Sequence, residues 1–136
     1  MMPFSLESVV LALLSGLVGA VCAQLMGTRA QKQMEIRRTK LEVLRKIAGN
    51  RAAVTNQPIP EQRARFFEGL NEVMIVFSDS PKVAQALTDY KAALNTPNHN
   101  DRMIALFKAI CRDGGIDPAA FNDSLFLEPF SPKLSQ

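Results

Sequence analysis

The chain has no tryptophan, one tyrosine, one histidine and two cysteines in 136 residues, and each scarcity removes a class of chemistry. The only histidine, His99, lies between Asn98 and Asn100 in a predicted polar turn, with nothing in the spacing to orient it as a catalytic base. Two cysteines make neither a disulfide framework nor a cysteine-rich zinc site. Cys22 falls inside an apolar run and Cys111 inside a predicted helix, and both read as small apolar packing residues. Gly114 and Gly115 follow a predicted helix without a companion Lys, whereas a phosphate-cradling loop precedes its helix and carries one. Glu68 and Glu72 stand one helical turn apart and read as surface acids. No catalytic, cofactor-binding or metal-binding residue is assigned, and the chain is not read as an enzyme.

What the sequence does contain is a long apolar run. From Phe4 to Met26, twenty-three residues, the strongly polar members are Glu7 and Gln24. As a helix this run measures roughly 35 Å, against about 30 Å of bilayer hydrocarbon. Eleven of its residues are Leu, Val or Phe, each favouring insertion by roughly 0.3 to 0.6 kcal/mol. It is therefore read as a transmembrane helix. A cleaved secretory signal would carry a basic start and a shorter apolar run ending in small residues, whereas the start here carries Glu7. A lipoprotein site at Cys22 is disfavoured by Val21, where a small residue would be expected. Small residues recur at spacing four along the run: Ser8, Ala12, Gly16 and Ala20 on one stripe, Ser15, Gly19, Ala23 and Gly27 on the next. Such stripes let helices approach closely in lipid, so Ala12, Ser15, Gly16, Gly19, Ala20 and Ala23 are the expected self-association surface of a homo-oligomer.

Charge is unevenly placed. Arg29 to Arg65 holds ten Lys or Arg against three Glu, and Phe66 to Gln136 holds six basic against nine acidic residues. Basic residues close to a span stay on the cytoplasmic side, which places the N-terminus outside a bacterial inner membrane and the C-terminal domain in the cytoplasm. Arg29, Lys32, Arg37, Arg38 and Lys40 are the expected contacts to anionic lipid or phosphate, each worth about 1 kcal/mol where it reaches the headgroups. A solvated helical face is the plainer reading of the same residues. Nucleic acid is the weakest, because no recognised binding motif is present and few aromatics lie nearby to stack on bases.

The fold is expected to be all-α: the transmembrane helix continuing into a long cytoplasmic helix, then a small antiparallel helical bundle. Residues 1–27 form the anchor, 28–56 the basic juxtamembrane helix and 57–136 the cytoplasmic domain packed on its end. Met34, Leu41, Leu44 and Ala48 fit a short heptad-like seam that leaves parallel association open. Asn56 to Pro60 is the expected connection, Pro60 and Glu61 open a helix reaching Phe77, and Ser80 with Pro81 caps the next, whose face is Val83, Leu87, Tyr90 and Leu94. Asn95 to Asn100 is a turn; Met103, Leu106, Phe107 and Ile110 mark a fourth helix ended by Gly114 and Gly115. Asp117 and Pro118 begin a short helical turn, and the apolar tail with Leu125, Phe126, Leu127 and Phe130 is expected to dock on its own bundle. Arg51 and Asn71 border apolar helical faces and are expected to make a polar contact between the first and second cytoplasmic helices.

The order of Asn50-Arg51-Ala52-Ala53, Pro60-Glu61, Leu70-Asn71-Glu72-Val73, Phe77, the Tyr90 to Leu94 helix, Leu106-Phe107 and the Cys111 to Ile116 helix end resembles an uncharacterised bacterial and phage family of small proteins, a domain of unknown function with an N-terminal span, a basic juxtamembrane helix and a compact helical domain. Gly49 and the proline-rich ending depart from that pattern. The resemblance implies a membrane-anchored accessory protein, with phage defence or superinfection exclusion as the implied setting. The leading reading is thus a self-associating single-pass membrane protein whose domain binds a protein partner. A pore-forming effector and a membrane-tethered nucleic-acid binder are the alternatives.

Overall fold

Between Leu6 and Gly49 the sequence offers no proline, and isolated glycines cost a helix only about 1 kcal/mol each. The computed structural model, which describes residues 5–51 and 59–127, accordingly has one helix, α1, over Leu6–Gly49. There follow α2 (Pro60–Val76), α3 (Pro81–Ala93), α4 (His99–Asp113), a 3-10 turn (Pro118–Ala120) and α5 (Asp123–Leu127). The described residues contain no strand, so the all-α expectation holds. The expected juxtamembrane helix over 28–56 ends at Gly49; its residues 52–56, most of the Asn56 to Pro60 connection, and the tail from Glu128 with Phe130 lie outside the described residues.

Two compact units divide the chain, Met1–Ile36 and Arg37–Gln136. In the first unit every described residue from Ser5 to Glu35 is exposed. This includes Leu6, Leu11, Leu17 and Met26, each more than 60% exposed.

The second unit has a core. Lys40, Val43 and Ile47 of α1 are buried, with Leu44 and Ala48 half-buried beside them, a stripe at helical spacing that faces inward. Phe66, Leu70, Val73 and Phe77 meet it from α2, Val83 and Tyr90 from α3, and Met103, Leu106, Phe107, Ile110 and Cys111 from α4. Gly69 lets α2 come close to α1: a Cβ there would sit 2.9 Å from Ile47 Cγ1. Met34 is 72% exposed while Leu41, Leu44 and Ala48 are partly buried within the domain. The heptad-like seam is therefore resolved as the domain's own core stripe in its second half.

Helix ends follow local chemistry. Ser80 Oγ accepts from Val83 N–H and Pro81 opens α3, as the Ser-Pro pair predicts. At the end of α4, Gly115 adopts φ +79 while Ile116 N–H donates to Cys111 O at 2.8 Å and Gly115 N–H to Arg112 O at 3.2 Å, the paired bonds of a glycine-terminated helix. The polar turn ends two residues earlier than expected, because His99 is already the first residue of α4 and its Nδ1 lies 2.9 Å from Thr96 O. The described part of the tail docks on its own domain. Phe126 is 9% exposed and its ring stacks on Phe107 with centroids 5.9 Å apart.

Candidate functional site

Lys40 enters the domain on the buried stripe of α1, three residues before Val43, and its side chain is 8% exposed. A buried ammonium requires compensating charge, and two carboxylates supply it. Lys40 Nζ donates to Asp79 Oδ1 and Oδ2 at 3.0 and 3.1 Å and to Asp113 Oδ2 at 2.7 Å, with the Phe77 ring centroid 5.3 Å away. Burial pulls the ammonium down, but the hydrogen bonds and charges of Asp113 and Asp79 outweigh it and leave Lys40 above its ordinary 10.5. The hydrogen bond from Lys40 in turn holds the Asp79 carboxyl below its ordinary 3.8. This corrects the expectation for Lys40. It is a buried structural cation, tying α1 to the α2–α3 connection and to the end of α4, and does not face lipid or phosphate.

A second clamp lies further along α1. Lys46 Nζ sits 2.8 Å from Glu68 Oε1 and 2.6 Å from Glu72 Oε1, so the two acids one turn apart on α2 are the jaws of an interhelical ion bridge. A polar link between α1 and α2 runs through Lys46. Asn71 is exposed, which corrects its assignment as a buried contact. Arg51 is half-buried and its Nη1 donates to Ala48 O at 2.7 Å within its own helix end. The acids escaped sequence reasoning because Lys40 meets Asp79 and Asp113 across 39 and 73 positions, and no local pattern encodes that.

The remaining expected contacts to lipid or phosphate, Arg29, Lys32, Arg37 and Arg38, are exposed. Arg29 and Lys32 belong to the first unit. In the second, Arg38 pairs with Glu42 at 3.2 Å with both side chains mostly in solvent, a bond of little energetic weight, and Arg37 Nη2 would lie 3.4 Å from a Cβ on Gly115. On the candidate span, Ala12, Ser15, Gly16, Gly19, Ala20 and Ala23 are all exposed. A Cβ added at Gly16 or Gly19 meets nothing within 4 Å, and Ser15 Oγ donates internally to Ala12 O at 3.0 Å.

Comparison of the chain with protein-family models, curated proteins and solved structures finds no match. The site is therefore read from its own geometry.

Among the described residues a cavity of about 390 Å³ lies between the end of α1, α4, the segment after it and α5. Its wall is apolar except for Arg51. Cys111 contributes its thiol to that wall and is 4% exposed; burial pushes the thiol above its ordinary 9.0, with Arg112 opposing weakly. It stays protonated at neutral pH and is an apolar wall group, in keeping with the sequence reading. The cavity went unseen in the sequence because Leu44, Phe107, Ile116 and Phe121 each look like ordinary packing positions.

Proposed function

We propose that the protein is a single-pass inner-membrane protein whose N-terminal helix is retained as an anchor and whose helical domain, on the cytoplasmic side, serves as a binding module. One observation carries the reading. A helix long and apolar enough to cross a membrane has none of that apolar surface buried within the described residues. A helix apolar on all sides needs burial in protein or in lipid, and lipid meets the need here. Arg29, Lys32, Arg37 and Arg38 follow the span on exposed positions, which supports the cytoplasmic placement of the domain by the positive-inside rule.

Self-association through the span extends the proposal, supported by the open surface at Gly16 and Gly19 and by the close helix approach that small residues permit in lipid. The family resemblance extends it further, to an accessory role in phage defence or superinfection exclusion. Plaque counts on expressing cells measure that role directly.

The test of the anchor is carbonate extraction of native membranes together with the intact mass of the mature chain. The expected result is a full-length chain in the pellet. A chain in the supernatant, or one shortened by its first two dozen residues, overturns the reading in favour of a soluble protein or a cleaved signal. Cross-linking in the same membranes tests assembly. Dimers in the parent chain that disappear in Gly16→Leu and Gly19→Leu are expected, and monomers throughout would remove self-association while leaving the anchor intact.

A further inference from the structure

The cavity of the helical domain offers rings and hydrocarbon, and little else. Phe107 and Phe126 stack with centroids 5.9 Å apart, and Phe121 braces Phe126 edge-on at 6.1 Å, so three rings build one side. Leu44, Ala48 and Ile116 line the space with them. Among the described residues of the lining, Cys111 and Arg51 carry the polar side-chain atoms. The Cys111 thiol is a weak hydrogen-bonding group. Arg51 is already engaged within the protein, in contacts that include donation from Nη1 to Ala48 O at 2.7 Å. A buried water needs two to four polar partners, which such walls do not provide, so the space suits an apolar guest. Phe121 and Leu125 remain 44% and 41% exposed at the cavity, apolar surface that the guest would cover.

We infer that this cavity binds one uncharged two-ring aromatic molecule, seated among Phe107, Phe121 and Phe126. Size sets the number of rings. An apolar cavity of roughly 150 Å³ takes a single benzene, and about 390 Å³ is more than twice that. Ring edges and faces on the wall favour an aromatic guest, which can meet them edge-to-face or offset-stacked. A carboxylate or phosphate would be buried against a lining whose cation already serves the protein, and a peptide would bury amides without partners, both expensive. The inference names the ligand of the binding module proposed above and rests on that part of the reading alone. It is independent of the membrane anchor, because all these lining residues belong to the unit Arg37–Gln136.

The experiment uses the full chain in phosphatidylcholine nanodiscs with 1-fluoronaphthalene, read by fluorine-19 NMR against empty nanodiscs. Expected is a second resonance, absent from empty nanodiscs and saturating at one per chain. The same ring system carrying a carboxylate, 4-fluoro-1-naphthoate, is expected to bind at least tenfold more weakly. Ala48→Phe, which fills the cavity, is expected to abolish the second resonance while helical circular dichroism is retained. Phe121→Ala, at an exposed position where loss of the ring spares the core, is expected to weaken binding at least threefold. A chain that stayed out of the nanodisc would still give the second resonance, so failure of the anchor and failure of this site are separable. Only the lipid-dissolved resonance at saturating 1-fluoronaphthalene would overturn the inference, as would a second resonance indifferent to both variants or tighter binding of the naphthoate. A second resonance that appeared only after deletion of residues 128–136 would assign the cavity to the chain's own tail and overturn it equally.

Discussion

Tyr90 and Gly69 show how single side chains set the domain's stability. Tyr90 is 1% exposed, and its hydroxyl has no hydrogen-bond partner among the described residues; burial pushes the phenol up to about 12. An enclosed hydroxyl without a partner carries a desolvation cost of about 1 to 3 kcal/mol. Tyr90→Phe keeps the ring and removes that cost, so the variant is expected to equal or exceed the parent by up to about 1 kcal/mol in chemical denaturation. A loss of more than about 1 kcal/mol would mean that the hydroxyl is hydrogen-bonded. Gly69 works in the opposite sense. The 2.9 Å approach of a Cβ to Ile47 Cγ1 sits in a core where Ile47 is 1% exposed and has nowhere to retreat. Gly69→Val is expected to cost about 2 to 3 kcal/mol by overpacking, read from the same denaturation curves, and an unchanged midpoint would show that α1 and α2 can part at that point.

Helices in this domain are held to one another by ion pairs as well as by apolar faces. Lys40 joins α1 to Asp79 before α3 and to Asp113 at the end of α4, and Lys46 joins α1 to α2. The two clamps differ in burial. The Lys40 side chain is 8% exposed and Asp113 23%, whereas Glu68 and Glu72 are 63% and 40% exposed. Removing one partner of a buried pair leaves a charge without its counterpart, so Lys40→Met is expected to cost about 2 kcal/mol, discounted from the fully buried case because Asp79 remains wet. Adding Asp113→Asn to Lys40→Met is expected to recover about half of that loss. Lys46→Met should be milder, because its partners remain largely in solvent. Equal losses for the two single variants would contradict the assignment of Lys40 as the buried tie.

The protein as a whole is expected to be stable over a broad pH plateau. Hydrogen bonds from lysine hold the Asp79 and Glu68 carboxyls below their ordinary 3.8 and 4.5. Their contribution is complete above those values and is lost as pH falls through the depressed ones. Lys46 is held above 10.5 by hydrogen bonds to Glu68 and Glu72, and Lys40 rises by the balance already described. Those contributions are complete below 10.5 and are lost as pH rises through the raised values. Thermal midpoints are therefore expected to stay level from about pH 5 to 8 and to fall outside that window, on the alkaline side first because the buried Cys111 thiol, held above its ordinary 9.0, stays protonated while the unfolded chain ionises. A transition centred at about pH 6 to 7 would point to a histidine-type group that these pairs do not contain.

Amino-acid order was sufficient for everything that depends on near neighbours. The apolar run gave the candidate span. The Ser80-Pro81 pair gave the start of α3, and Gly114-Gly115 gave the end of α4. Spacings of three and four gave the buried faces of α2, α3 and α4, because helix periodicity and capping act within a few residues. Tertiary structure alone decided which charges meet and where space is left. Lys40 reads as one more basic residue after a span until residues 39 and 73 positions away enclose it. Glu68 and Glu72 read as surface acids until Lys46, 26 positions before Glu72, comes between them. The cavity beside Arg51 exists only because the end of α1 and the distant segment from α4 to α5 pack, among the described residues, without filling it. Pairing and packing across such separations are fixed by how the helices assemble, and no short window of sequence carries that information.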